Sequence, residues 1–322
     1  MKRPISTGSE ARRRVDRLRA LRGSPGPLRE HCLAILADEG SPDVIRLALE
    51  AIGETIEMGD RPILLSLYDY FDAVGPKADP VGTVRVEVLK LLWHLRSHQD
   101  LNLALRASRT VEPGFNSNGE LIRAAGIALL GAIDPATAAL AAAKILGSGD
   151  ANTFNGEPSL TAIRLLASLN ERAALLMFAL NPPAEPGELR AESIRSLANI
   201  PIEYIADLIA SASASQDEAV LVGLADLVIQ LPESPEATEA AKSLLRDAPH
   251  PEIYEFLVTS ITASRRADLI GVLLETLPQE MSQKRLTAAM RALELAPRTS
   301  EVEAAIAELA LRVAKQQPPR RP

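Results

Sequence analysis

Eight segments of the chain repeat one pattern. They read VIRLALEAIG (44–53), TVRVEVLKLLW (83–93), LIRAAGIALLG (121–131), SLTAIRLLASL (159–169), ELRAESIRSLA (188–198), EAVLVGLADLV (218–228), EIYEFLVTSIT (252–262) and KRLTAAMRALE (284–294). Each places apolar residues at i, i+3 or i+4, and i+7, the period of a helix buried on one side. Anchored at Arg46, Arg85, Arg123, Thr161, Arg190, Val220, Tyr254 and Arg285, they follow one another at intervals of 39, 38, 38, 29, 30, 34 and 31 residues. Other helical stretches alternate with them, at 27–38, 61–74, 99–110, 135–146, 171–180, 202–213, 234–246 and 265–276. Each unit is then a first helix followed by a second. One pair cannot bury its apolar faces alone, and stacking completes the core. The pattern predicts an all-α chain, a right-handed α-solenoid of about eight helix pairs over 24–316. A last amphipathic helix over 299–316, with Val302, Ile306, Leu309 and Val313 on one stripe, closes the array.

Composition agrees with close-packed helices. The hydrophobic share is 47% but aromatics make up only 3%, so Ala and Leu must fill the interior. A β-rich fold draws instead on Val, Ile, Thr and aromatics. The stretch SPDVIRLALEAIGETI (41–56) reads as one helix with Gly53 set inside it. A glycine there costs roughly 1 kcal/mol against alanine, so it needs a packing reason. Close approach of a neighbouring helix supplies that reason for Gly53, Gly126 and Gly131, a ligand contact being the other reading.

The second-helix segments resemble HEAT repeats, the bacterial HEAT-like sort included. The resemblance rests on an acid or amide before a V/I/L-R step and an Ala-rich helix. It is seen as Asp43 with Val44-Ile45-Arg46, Asp79 with Val84-Arg85, Asn116 or Asn118 with Leu121-Ile122-Arg123, and Glu188 with Leu189-Arg190. As an architecture it covers 25–297, and Val220 and Tyr254 stand where the arginine would be. It implies a ladder of acid–arginine pairs between neighbouring repeats, and a scaffold that binds protein partners rather than an enzyme.

Charge narrows the partners. The net charge is −7, but residues 1–22 carry +6 and residues 312–322 carry +4, leaving −17 on the body. An acidic body argues against a nucleic-acid surface, which needs a continuous basic footprint. That weighs against a resemblance to the HEAT-like alkylpurine glycosylases. The basic segment 9–22, SEARRRVDRLRALR, has its own seam of Ala11, Val15, Leu18 and Leu21 or Arg22. Residues 1–23 therefore read either as an N-terminal cap or as a helix for anionic lipid, nucleic acid or an acidic surface. Residues 317–322 read as a basic, Pro-rich tail. The single cysteine, Cys32, cannot form an internal disulfide, and no secretory h-region is visible. No apolar run reaches the ~18 residues a membrane helix needs. A cytoplasmic, bacterial protein without cofactors is the expectation.

Two surfaces stand out as candidates for a protein partner. The links from first to second helix are long at 74–83, 111–120, 147–159 and 181–188, whereas the return links are tight. Insertions that share one edge of a repeat array often form its binding face. Phe115, Asn116, Asn118, Asn152, Phe154 and Asn155 lie in the two central ones. Idle growth of the loops is the alternative. The second surface is an acidic stripe of Glu50, Glu54 and Glu57 at i, i+4 and i+7, read as facing the concave side. Tyr68, Tyr70, Phe71 and Trp93 gather four of the ten aromatics, as packing or as an exposed anchor.

Catalytic signals are poor. His94 and His98 are spaced i, i+4 with Asp100 nearby, but HLRSH lacks the glutamate of a zinc helix and brings Arg96 between the ligands. Cys32 follows His31, and adjacent residues point apart on a helix. No phosphate-cradling glycine loop and no G-x-S-x-G occurs. A resemblance to HEAT-repeat phycobilin lyases remains the enzymatic alternative, and an apolar groove rimmed by arginine would favour it.

Overall fold

The computed structural model describes residues 3, 7–112, 119–149, 155–181, 187–198, 200–204 and 206–316. Among them there are helices and turns and no strand. The chain forms two compact units, Met1–Leu169 and Asn170–Pro322.

The first unit contains α1 (Gly8–Ala20), α2 (Pro25–Asp38), α3 (Pro42–Ile52), α4 (Arg61–Val74), α5 (Thr83–Leu95), α6 (Leu101–Ala107), α7 (Glu120–Ile133), α8 (Pro135–Ser148) and α9 (Ser159–Ser168). The second contains α10 (Arg172–Leu180), α11 (Gly187–Arg195), α12 (Ala206–Ser213), α13 (Glu218–Gln230), α14 (Pro235–Asp247), α15 (Pro251–Ser264), α16 (Ala267–Thr276), α17 (Gln283–Leu293) and α18 (Ser300–Gln316). Every stretch predicted helical from its period falls on one of these. Their starts carry the usual signals. Proline opens α2, α3, α8, α14 and α15, where its missing N–H costs nothing. Side chains of Asp134, Asp217 and Ser234 accept hydrogen bonds from the first free amides of α8, α13 and α14 at 2.9–3.1 Å.

In the first unit the odd-numbered helices pack in series, α3 on α5, α5 on α7 and α7 on α9, and each even-numbered helix lies against its odd neighbour. In the second unit the odd series runs α11, α13, α15, α17, and the even series α10, α12, α14, α16 also packs helix on helix. The cores follow the predicted stripes: Ile45, Ala48, Leu49 and Ile52 of α3, or Leu221, Leu224 and Val228 of α13, are buried. Helix α1 docks on α2 and α3 through Ala11, Val15 and the buried Leu18, with Arg12, Arg13 and Arg17 exposed. Val302 and Leu309 of α18 are buried, and α18 lies on α17.

The glycines divide. A Cβ on Gly126 would stand 2.5 Å from the backbone nitrogen of Ser108 and 2.8 Å from the Ala107 carbonyl carbon. One on Gly131 would reach Leu165 of α9 at 2.6 Å. Both are close approaches, as expected. Gly53 is not. The helix expected to run through it ends at Ile52, Gly53 adopts φ +39°, and nothing lies within 4 Å of a Cβ built there. It is present because the chain turns with a positive φ that side chains rarely adopt.

Candidate functional site

The strongest concentration of buried charge lies where the long links of the first unit meet the starts of α5 and α7. Arg85, at the first turn of α5, has 0% of its surface exposed. Its Nε donates to Asp79 at 3.1 Å, its Nη2 donates to Glu112 at 3.0 Å, and its Nη1 also meets Glu112. Asp79 in turn accepts from the free amides of Val84 and Arg85 at 3.2 and 3.3 Å, where the helix dipole favours a carboxylate. Burial pulls the Arg85 guanidinium downward, but its bonds to Glu112 and Asp79 outweigh that and hold it above its ordinary value. Arg85 thus ties link 74–83 to the following link at Glu112.

The other predicted ladder positions differ. Arg46 is half-buried and pairs with Glu50 one turn along its own helix, leaving Asp43 on the surface. Arg123, buried, donates to the Thr110 carbonyl at 3.0 Å. Arg190 donates to the Ala179 carbonyl at 3.0 Å and to Ser211 at 2.9 Å, and Glu188 is exposed. Arg123 and Arg190 thus bond carbonyls at the end of the preceding helix, and among the described residues Arg85 is the one that pairs with its predicted acid, Asn116 and Asn118 lying outside them. A second ladder, not read from the sequence, runs along the even-numbered helices. Arg29 binds Asp60 at 2.7 Å, and Arg61 binds the fully buried Asp100 at 2.6 Å. Its signal was in the tight links, where EMGDR and SHQD each place an aspartate just before the next helix.

The acidic stripe does not form. Because α3 stops at Ile52, Glu57 lies beyond it and binds Arg29 at 3.1 Å, while Glu50 is held by Arg46. The backbone of Glu54 falls in the turn after Gly53. Of the predicted loop residues, Phe115, Asn116, Asn118, Asn152 and Phe154 lie outside the described residues. Asn155 is exposed and accepts from the Glu157 amide at 3.0 Å, closing its own turn. His94 and His98 do not share a helix face: α5 ends between them, with Arg96 left-handed at φ 50°, and Asp100 is taken by Arg61. Among the described residues no three His, Cys, Asp or Glu side chains gather as metal ligands. Cys32 is buried in the core, which pushes its thiol up to about 11. Tyr68 and Phe71 are buried too, whereas Trp93 is partly exposed with Arg96 over its ring at 5.2 Å.

What the sequence did not reveal is a groove between α6 and α8. These two helices do not pack along their lengths, because α6 is two turns long and α8 is four. One face of α8 lines it: Thr137, Leu140, Ala141, Lys144, Ile145 and Ser148, at i, i+3, i+4, i+7, i+8 and i+11, with Leu140, Lys144 and Ser148 exposed and Ile145 buried. Leu105 and Val111 form the opposite wall, with Ser108, Arg109 and Arg123. The groove has a volume of about 380 Å³. Leu140 is 75% and Val111 72% exposed. Among the described residues no acidic side chain lines it. The exposed Arg109 and Lys144 have no ion-pair partner among the described residues. The second unit offers a cleft of about 480 Å³ between Tyr254 and Arg285, but there the charges are internally satisfied, with Lys242 on Glu275 at 2.9 Å and Arg285 on Glu280 at 3.2 Å.

No helix among the described residues is long and apolar enough to cross a membrane. Compared with protein-family models and with curated proteins, the chain matches none.

Proposed function

We propose that the chain is a HEAT-like α-solenoid of about eight helix pairs that acts as a non-catalytic, protein-binding scaffold. The observation that carries this reading is the serial packing in each unit, where odd-numbered helices α3 to α9 and α11 to α17 each lie on the next of their kind. Repeats joined only to their neighbours leave long uninterrupted flanks, which is how such arrays bind. The arginines that cap helix ends are spent on structure. In the finer reading, the partner engages the edge formed by the long links, with Phe115 and Phe154 as anchors.

Affinity capture of the full chain from its native host, with cross-linking and mass spectrometry, tests this. A protein partner is expected, weakened by Phe115→Ala and Phe154→Ala by about 1–4 kcal/mol each at an unchanged melting temperature. Recovery without any partner protein would count against a scaffold.

The groove beside α8 favours a second reading, a lyase or chaperone for a prosthetic group, since it is apolar and carries Arg109 and Arg123. A small-molecule site, however, encloses most of its ligand. Here Leu140 and Val111 stand out at the rim and enclose nothing. A visible absorbance band on protein purified from the host would reverse this preference.

A further inference from the structure

We infer that the α6–α8 groove is the seat of an acidic amphipathic helix from a partner protein, an inference that rests on the scaffold reading and gives it a site. The lining face of α8 follows the register of a helix buried against another helix. From Thr137 to Ser148 it spans eleven residue steps, ~16 Å at 1.5 Å per residue. That is the length of a three-turn helix. Such a face is normally polar when it meets only water. This one presents Leu140, three-quarters exposed, beside the half-buried Ala141, with Ile145 buried beneath them.

Charge states what kind of helix fits. Arg109 stands on the α6 side and Lys144 on the α8 side, both exposed; among the described residues neither is paired and no carboxylate lines the groove. On a chain of net charge −7, an apolar trough flanked by two free cations selects an occupant with apolar anchors at i, i+3/i+4 and i+7 and carboxylates on its flanks. A basic helix would leave both cations opposed by like charge.

The test is selection of a phage-displayed library of three-turn helices, randomised on one face, on the full chain. Enriched sequences are expected to carry Leu-type anchors flanked by Glu or Asp. A fluorescein-labelled peptide from the enriched pool should bind by anisotropy, at least tenfold more weakly to Leu140→Asp and several-fold more weakly to Lys144→Glu. Both positions are on the surface, so circular dichroism and melting should match the parent chain. Peptides that bind the parent and both variants equally overturn the groove and leave the scaffold reading standing. Enrichment of basic sequences overturns the assigned charge. No enrichment at all counts against this inference, while partner capture from the host then decides the scaffold reading separately. Should the parent chain be a dimer that Leu140→Asp makes monomeric, the occupant is a second copy and the inference fails.

Discussion

The two units bury charge very differently. Among the described residues, all seven buried charged side chains belong to the first unit: Glu39, Asp60, Asp79, Arg85, Asp100, Glu120 and Arg123. Among the described residues the second unit buries no charged side chain, its buried polar groups being hydroxyls such as those of Ser193, Thr262 and Tyr254. Its arginines stay partly exposed and cap helix ends, as when Arg266 donates to the Ile229 carbonyl at 3.0 Å and Arg285 to those of Arg246 and Ala248. Part of the difference follows from the links. The first unit carries long links after α4 and α6, and a link folded over helix ends brings backbone and side-chain polar groups that must find partners. Asp79 and Glu112 lie in those links and Arg85 at the helix that receives them. The lesson is that buried charge here does two jobs: Arg85 with Asp79 and Glu112 holds the long links in place, while Asp60 and Asp100, in tight links, tie one even-numbered helix to the next. Replacing such pairs by apolar groups is often neutral, whereas removing one member is costly.

The sharpest way to break this contrast is Arg85→Met. It leaves Asp79 and Glu112 without their counter-charge and should destabilise the first unit by about 3–5 kcal/mol, toward the lower end because Asp79 keeps its amide donors. Hydrogen exchange read by mass spectrometry should show faster exchange through α5 and α7 while α13 and α15 are unchanged. Equal protection in both units after the substitution would remove the distinction.

Arg266→Ala asks the same of the second unit. The guanidinium donates to carbonyls at the end of α13 and to Asp268, whose carboxyl the bond from Arg266 holds below the ordinary range. Loss of a charged capping bond should cost about 1.5–3 kcal/mol in urea unfolding. A cost as large as that of Arg85→Met would place the two styles on one footing.

Helix contact, by contrast, should be alike in the two units. Gly126 abuts the backbone of Ala107 and Ser108, and Gly223 abuts Ala191, where a Cβ would stand 2.7 Å from its Cα. Gly126→Ala and Gly223→Ala should each destabilise by about 1–3 kcal/mol, since backbone cannot yield as a side-chain tip can. Thermal melts of the pair check this, and a large difference between them would show that the close approach matters in one unit only.

The smallest difference is expected in alkali. Burial pushes Tyr68 in the first unit and Tyr254 in the second up to about 12. A raised folded value means stability that is complete below the unfolded value of about 10 and is lost as pH climbs toward 12. Absorbance at the phenolate band should show both tyrosines ionising late and together with unfolding. Tyr68→Phe and Tyr254→Phe should each soften the alkaline loss by similar amounts.

Helices and their order were legible because a 3.6-residue apolar period is local: α4 spans 61–74 as read, and Ile45, Leu49 and Ile52 are core as the stripe requires. Gly126 was legible too, since an interior glycine has few other reasons to exist. The sequence did not disclose which glycine ends a helix. Gly53 looks like Gly126 in pattern and differs in its φ and in having no neighbour against it, both set by the path the chain takes next. The same holds for charge. Asp43–Arg46 and Asp79–Arg85 have one motif, yet only the second is buried, because a long link covers it. Whether Leu140 and Lys144 face a neighbouring helix or an open groove depends on α6 being shorter than α8 and on the gap this leaves. Period and composition determine what each segment is, since they act within one helix. Which faces remain uncovered is decided by contacts between residues far apart in the chain, and only the tertiary structure holds those.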